Sequence, residues 1–157
     1  ITKFADSVMV CLSKGLCAPS GSFLAGTASF INKARANRKI MGGGMRQTGF
    51  LAAAGLIALR EMRSKLSVDH DNADYLANEL SQFEQIEVDF SRRDINMVFF
   101  SFKNVSIDPE GLTDYFKSHG ILINKCDSKG VFRFVTHHWI ERIHIDSVIE
   151  VMGKFLQ

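Results

Sequence analysis

The chain has 157 residues, 46% hydrophobic and 23% charged, the balance of an ordinary globular protein. Its 19 basic and 17 acidic residues leave a formal net charge of +2. So small an excess argues against nucleic acid or an anionic membrane as the main partner. Cys11, Cys17 and Cys126 show no CxxC spacing and fit neither a disulfide framework nor a zinc site, so a reducing compartment is expected.

The chain opens on Ile1-Thr2-Lys3 and runs almost at once into an apolar pattern, as expected of a piece of a longer protein. Residues 7–12 are apolar and rich in β-branched side chains, which predicts a buried strand. Residues 13–22 hold two glycines, a proline and three serines and predict a loop; 23–26 would return as the second strand of a hairpin. Thr27 stands at an N-cap position. The helix it opens carries Phe30, Ile31, Ala34 and Ile40 and ends at Gly42-Gly43-Gly44. A second helix is predicted over 48–66. Its Ala/Leu/Gly-rich first half is expected to be buried on most sides, and its second half to emerge with Arg60, Glu61, Arg63 and Lys65. The longest apolar stretch, 50–59, is too short to cross a bilayer, which takes about 20 residues.

The pattern then becomes amphipathic. Residues 68–83 predict a helix with Tyr75, Leu76, Leu80 and Phe83 inward. Strands are predicted over 86–90 and 96–102. Asp108, Pro109 and Glu110 supply an N-cap acid, a first-position proline and a first-turn acid for a helix that Gly120 stops. Strands at 121–123 and 131–135 and a closing helix over 145–156 complete the chain. Residues 67–157 thus read as a small α+β domain, an antiparallel sheet backed by helices. Residues 1–66 have too few elements for a core of their own and need a partner sheet.

Three segments bear on chemistry. Ser13-Lys14-Gly15-Leu16 follows the first strand. Its plain reading is an exposed turn; its functional reading is an amine whose proton is made labile by burial and cationic neighbours such as Arg46 or Lys39. Ser13 could offer a hydroxyl to a phosphate. Gly42-Gly43-Gly44-Met45-Arg46-Gln47-Thr48 precedes a helix; it is either a hinge or a set of N–H groups aimed at an anion with Arg46 beside them. Arg133 interrupts the apolar run Phe132-Arg133-Phe134-Val135. It either points to water or clamps a carboxylate with its planar guanidinium. His137 and His138 are adjacent and would face opposite sides of a strand, which is wrong for a metal site, and His70 reads as a solvated helix face. No phosphate-binding P-loop, nucleophile elbow or HExxH motif is present.

Taken together, Val10-Cys11-Leu12-Ser13-Lys14-Gly15-Leu16, Met41-Gly42-Gly43-Gly44-Met45-Arg46-Gln47 and Phe132-Arg133-Phe134-Val135-Thr136-His137 are similar, in order and spacing, to segments of the low-specificity L-threonine aldolases. Asp69-His70-Asp71-Asn72-Ala73 and Asn96-Met97-Val98-Phe99 also resemble that family. The resemblance covers nearly the whole chain. It implies an α/β protein of the PLP-dependent transferase-like fold, type I. Residues 1–66 would be the end of the large cofactor domain and 67–157 the small C-terminal α+β domain.

The resemblance also implies roles. Lys14 matches the lysine that holds pyridoxal 5'-phosphate covalently, with Ser13 beside it. Arg46 matches an arginine that helps hold the cofactor phosphate, Arg133 the arginine that binds the substrate carboxylate, and Lys39 a lysine close to the active site, on the substrate-binding side with Arg133. The implied reaction is cleavage of L-threonine or L-allo-threonine, β-hydroxy amino acids, to glycine and acetaldehyde. The implied assembly is a cytoplasmic homo-oligomer, a dimer of dimers, with no metal. The phosphate-cradling loop, ring-stacking histidine and acidic partner of the pyridine nitrogen would belong to the N-terminal half of the same enzyme, so that half is expected as a partner and the isolated chain is expected to be inactive. Cys17 departs from the family, which usually has glycine there. Two other readings stay open: a related fold-type-I enzyme (an aminotransferase or β-eliminating lyase), or an inactive truncated paralogue that acts only in assembly.

Overall fold

The computed structural model describes residues 2–92, 95–103 and 108–157. The chain forms two compact units, Ile1–Lys65 and Leu66–Gln157.

In the first unit, β1 (Ser7–Cys11) and β2 (Ser22–Gly26) pair antiparallel, with Met9 opposite Leu24. Thr27 caps α1 (Ala28–Ile40): its side-chain oxygen accepts from the Phe30 N–H at 3.3 Å. The helix ends because Gly42 takes φ +81°, where a Cβ would be strained. Gly42 N–H then donates to Lys39 O (3.2 Å) and Gly43 N–H to Arg38 O (2.8 Å), so two carbonyls of the last turn are satisfied. The next helix, α2, covers Gly49–Arg60 and stops short of the predicted residue 66; Met62–Lys65 form a 3-10 turn instead. No glycine or proline marks that break.

The expectation that the first half of this helix is buried on most sides does not hold in this chain. Of α2 only Gly55 and Ala58 are buried, and Phe50 is 72% exposed. Leu56 and Ile57 are exposed as well, as are Phe4, Ile40 and Met41 elsewhere in the unit. A unit whose buried apolar side chains are Leu16, Ala18 and Ala58 leaves most of its hydrophobic surface uncovered.

The second unit has a core. β3 (Ile86–Val88), β4 (Met97–Phe102) and β5 (Phe132–Val135) form an antiparallel sheet in the order β3-β4-β5. Phe100 pairs with Phe132, and Val98 with Phe134. Alternation places these side chains on one face and Phe99 and Arg133 on the other. The first face is covered by α3 (Leu66–Leu80), α4 (Pro109–Ser118) and α5 (Arg142–Phe155). Leu76, Leu80, Leu112, Phe116, Ile145 and Met152 are all buried there.

Asp108 caps α4, its carboxylate accepting from Glu110 N–H at 2.9 Å, with Pro109 in the first turn. Gly120, at φ +77°, ends it, and the Ile121 N–H returns to Phe116 O at 3.0 Å. The predicted strand at 121–123 is absent: these residues have no regular structure and no ladder partner, Ile121 and Ile123 packing on the core while Leu122 is 83% exposed. The closing helix begins at Arg142, ahead of the predicted 145, because the Glu141 N–H donates to His144 Nδ1 at 3.0 Å and starts the helix early.

Candidate functional site

In the first unit the candidate residues sit on two turns. The loop between β1 and β2 is closed by Leu12 N–H to Gly21 O (3.0 Å), Ala18 N–H to Leu12 O (3.0 Å) and Cys17 N–H to Lys14 O (2.8 Å). These bonds fold the backbone into a tight strap whose apolar members, Leu16 and Ala18, are buried. Ser13 and Lys14 are left exposed. The burial that the functional reading asks of Lys14 is therefore not supplied within this unit. Cys17 adopts φ +59°, the left-handed region that glycine occupies without cost, so a thiol residue at this position carries backbone strain. Gly55 of α2 lies against Leu12: an added Cβ would meet Leu12 Cδ1 at 3.2 Å. Helix α2 thus packs on the residue that leads into the lysine strap.

The second turn joins α1 to α2. Lys39, in the last turn of α1, lies along Gly44, where an added Cβ would stand 3.0 Å from Lys39 Cδ and 3.8 Å from its Nζ. The structure therefore brings Lys39 together with the glycine run. Arg46 follows, exposed, and Gln47 takes φ +52° to turn the chain into α2. Thr48 stands at the N-cap without a side-chain hydrogen bond to the helix.

In the second unit Arg133 lies on the open face of β5, directly across from Phe99. The Phe99 ring also carries the Arg92 guanidinium, 3.5 Å from its centroid. Arg133 lines an open cleft of about 870 Å³, together with Leu122, Trp139, His144 and Val148. His137 and His138 follow the end of β5 and do not lie on a strand; the His137 Nδ1 accepts from Trp139 N–H at 3.3 Å. His70 is exposed.

Beneath this end of β5 lies a buried polar network to which the sequence alone assigns no role. Thr136 is 2% exposed, and its hydroxyl donates to the Asp69 carbonyl at 2.6 Å. Its N–H donates to Asn96 O at 3.0 Å, and its carbonyl accepts from the Asn96 side-chain amide. Asn72 Nδ2 donates to Ile140 O at 2.9 Å. The available signal was the alternation itself: Thr136 shares the inward register of Phe132 and Phe134, and an inward hydroxyl needs a partner.

Asp69 is also buried, and burial pushes its carboxyl above the usual carboxylate range, opposed by the nearby His137, His138 and His70. An acid whose folded pKa is raised favours folding in its protonated form. That contribution is full below the ordinary carboxylate value and is lost as pH rises through the raised one. Asp69→Asn, compared with the parent by urea denaturation at pH 3 and pH 7, is expected to gain relative stability at the higher pH. A difference independent of pH would contradict this.

Among the described residues, no cluster of His, Cys, Asp and Glu is placed to hold a metal ion, and no helix is long and apolar enough to cross a membrane.

Residues 1–103 match the family model for the beta-eliminating lyases. The chain belongs to that family. Its relatives include the low-specificity L-threonine aldolase 1 of Arabidopsis thaliana, 45% identical over 89% of this chain and 39% of that protein. The low specificity L-threonine aldolase of Escherichia coli K12 is 40% identical over 99% of this chain and 44% of that protein. The chain thus spans less than half the length of these curated relatives, and it matches their C-terminal part. A putative aromatic amino acid beta-eliminating lyase/threonine aldolase from Exiguobacterium sp. 255-15 superposes with TM-score 0.76 at 18% identity, over 98% of this chain and 46% of that one. A PLP-dependent aminotransferase from Streptococcus suis 89-1591 gives 0.71 at 15%, over 96% and 41%. Likeness at such low identity speaks to fold: this family member has the mixed α/β architecture of the C-terminal portion of fold-type-I enzymes.

Proposed function

We propose that this chain is the C-terminal portion of a pyridoxal-phosphate-dependent lyase that cleaves L-threonine or L-allo-threonine to glycine and acetaldehyde. The observation that carries this reading is the Ser13-Lys14-Gly15 strap, a primary amine held at the mouth of a strand pair in a beta-eliminating lyase. The donor set fits the cofactor in kind: an amine for its aldehyde, and a hydroxyl at Ser13 and a guanidinium at Arg46 for its phosphate. Once bound, the cofactor would supply an electron sink for the pair left when a bond to Cα breaks.

The rest is the work of this chain's side chains. Lys14 would hold the cofactor through Nζ. Lys39, beside Gly44, adds a second cation next to Arg46's segment. Arg133 takes the substrate carboxylate with both arms of its guanidinium and so fixes which bond at Cα is oriented for cleavage. Residues 1–66 would be the end of the large cofactor domain and 67–157 the small C-terminal one. The uncovered apolar surface of the first unit supports a missing N-terminal half as its cover. Assembly as a homotetramer, a place in threonine breakdown and glycine formation, and residence in the cytoplasm follow from the same reading.

The test is product identity. The complete enzyme given L-threonine should release acetaldehyde and glycine together; a keto acid formed by amino-group transfer would assign it to another fold-type-I class.

A further inference from the structure

We infer that Thr136, with Asn96 and the Asp69 carbonyl, is a positioning residue for Arg133, fixing the register along β5 at which that guanidinium is presented. The inference rests on the reading of Arg133 as the carboxylate-binding residue.

Strand β5 is four residues long and lies at the edge of its sheet, so it has a ladder on one side only. Burial of Phe132 and Phe134 opposes a slip of one residue, which would turn Arg133 into the core; a slip of two keeps the faces and moves Arg133 along the sheet. Four cross-strand pairs end at Met97 opposite Val135. The Asn96–Thr136 exchange then extends the pairing by one position, through a main-chain bond of 3.0 Å and the Asn96 side-chain amide. The Thr136 hydroxyl ties that position to α3 at Asp69 O, 2.6 Å away. One turn further along α3, Asn72 holds Ile140 O at 2.9 Å, beyond the turn at 137–139. Two residues on one face of a helix therefore clamp both ends of the segment in which β5 leaves the sheet. The aromatic side chains of β5 fix which face is buried, but Phe132 and Phe134 are alike, so burial alone selects weakly between the observed register and one shifted by two residues. The hydroxyl bond selects it by geometry.

Thr136→Val keeps the volume of the side chain and removes the donor; Thr136→Ser keeps the donor. In the complete enzyme, Thr136→Val should raise KM for L-threonine about tenfold, because a binding group displaced by a fraction of an ångström loses its aligned contacts, while kcat stays within about twofold. Thr136→Ser should restore KM. In the 157-residue chain, amide exchange across 132–136 should quicken in Thr136→Val and not in Thr136→Ser. A merely structural role would lower the amount of folded enzyme, and with it apparent kcat, at unchanged KM; that result overturns the inference. Arg133→Ala separates the two claims. Unchanged KM in Arg133→Ala overturns the carboxylate assignment itself. Raised KM in Arg133→Ala with unaltered KM in Thr136→Val overturns the positioning role alone.

Discussion

Lys14→Ala in the complete enzyme is expected to abolish the visible absorbance of the lysine-bound cofactor and to lower threonine cleavage by at least roughly a thousandfold. Lys14 lies in a strap closed by three main-chain hydrogen bonds, of which its own carbonyl accepts one from Cys17. Removing the side chain leaves those main-chain bonds in place, and Leu16 and Ala18 still anchor the strap. The loss should therefore be chemical, with the strap itself still folded. Since Lys14 is exposed in this unit, its substitution should leave the denaturation midpoint of the 157-residue chain almost unmoved. Retention of both the absorbance and the cleavage in Lys14→Ala would end the lysine assignment.

The largest stability effect is expected at Phe100. Its ring stacks on Phe132 at 5.2 Å and 14° and meets Phe134 at 4.9 Å, and it is 1% exposed. Phe116 of α4 reaches Phe134, and Phe155 of α5 reaches Phe102, so the aromatic cluster joins the sheet to two helices. Phe100→Ala should cost about 3–5 kcal/mol through lost transfer free energy and the cavity left behind. That is a large share of the roughly 5–15 kcal/mol that holds a domain folded. Phe100→Leu, nearer in volume, should cost about 1.5 kcal/mol or less. Urea denaturation followed by circular dichroism measures both. A loss below about 1 kcal/mol for Phe100→Ala would mean that the cluster is not the centre of this unit's core.

What the sequence revealed depended on how local each signal was. The hairpin, the Thr27 cap, the Asp108-Pro109 helix start and the Gly120 stop are written in residues within a few positions of one another, and each is found in the structure. The strand expected at 121–123 was inferred from apolar character. Ile121 instead spends its N–H on Phe116, and its side chain meets the core without a strand partner. The early start of α5 was hidden because a glutamate and a histidine form its first-turn exchange, where Ser, Thr, Asp or Asn is the usual sign. The break of α2 after Arg60 has no glycine or proline to announce it.

The candidate site was legible as residue types. The strap with Ser13 and Lys14, the glycine run with Arg46, and the interrupted strand with Arg133 are all short motifs. Lys39 was legible only as a cation, and its contact with Gly44 came from the turn between α1 and α2. The network under Arg133 was not legible, because it joins residues far apart in the chain: Thr136 to Asp69, 67 positions away, and Asn72 to Ile140, 68 away.

The most direct measurement follows cofactor absorbance and acetaldehyde release from L-threonine, for the 157-residue chain alone and for the chain joined to the N-terminal half that the proposed function calls for. Neither signal is expected from the chain alone, and both are expected from the joined protein. A joined protein that holds the cofactor and releases no acetaldehyde, or an isolated chain that cleaves threonine at full rate, would contradict the proposed function.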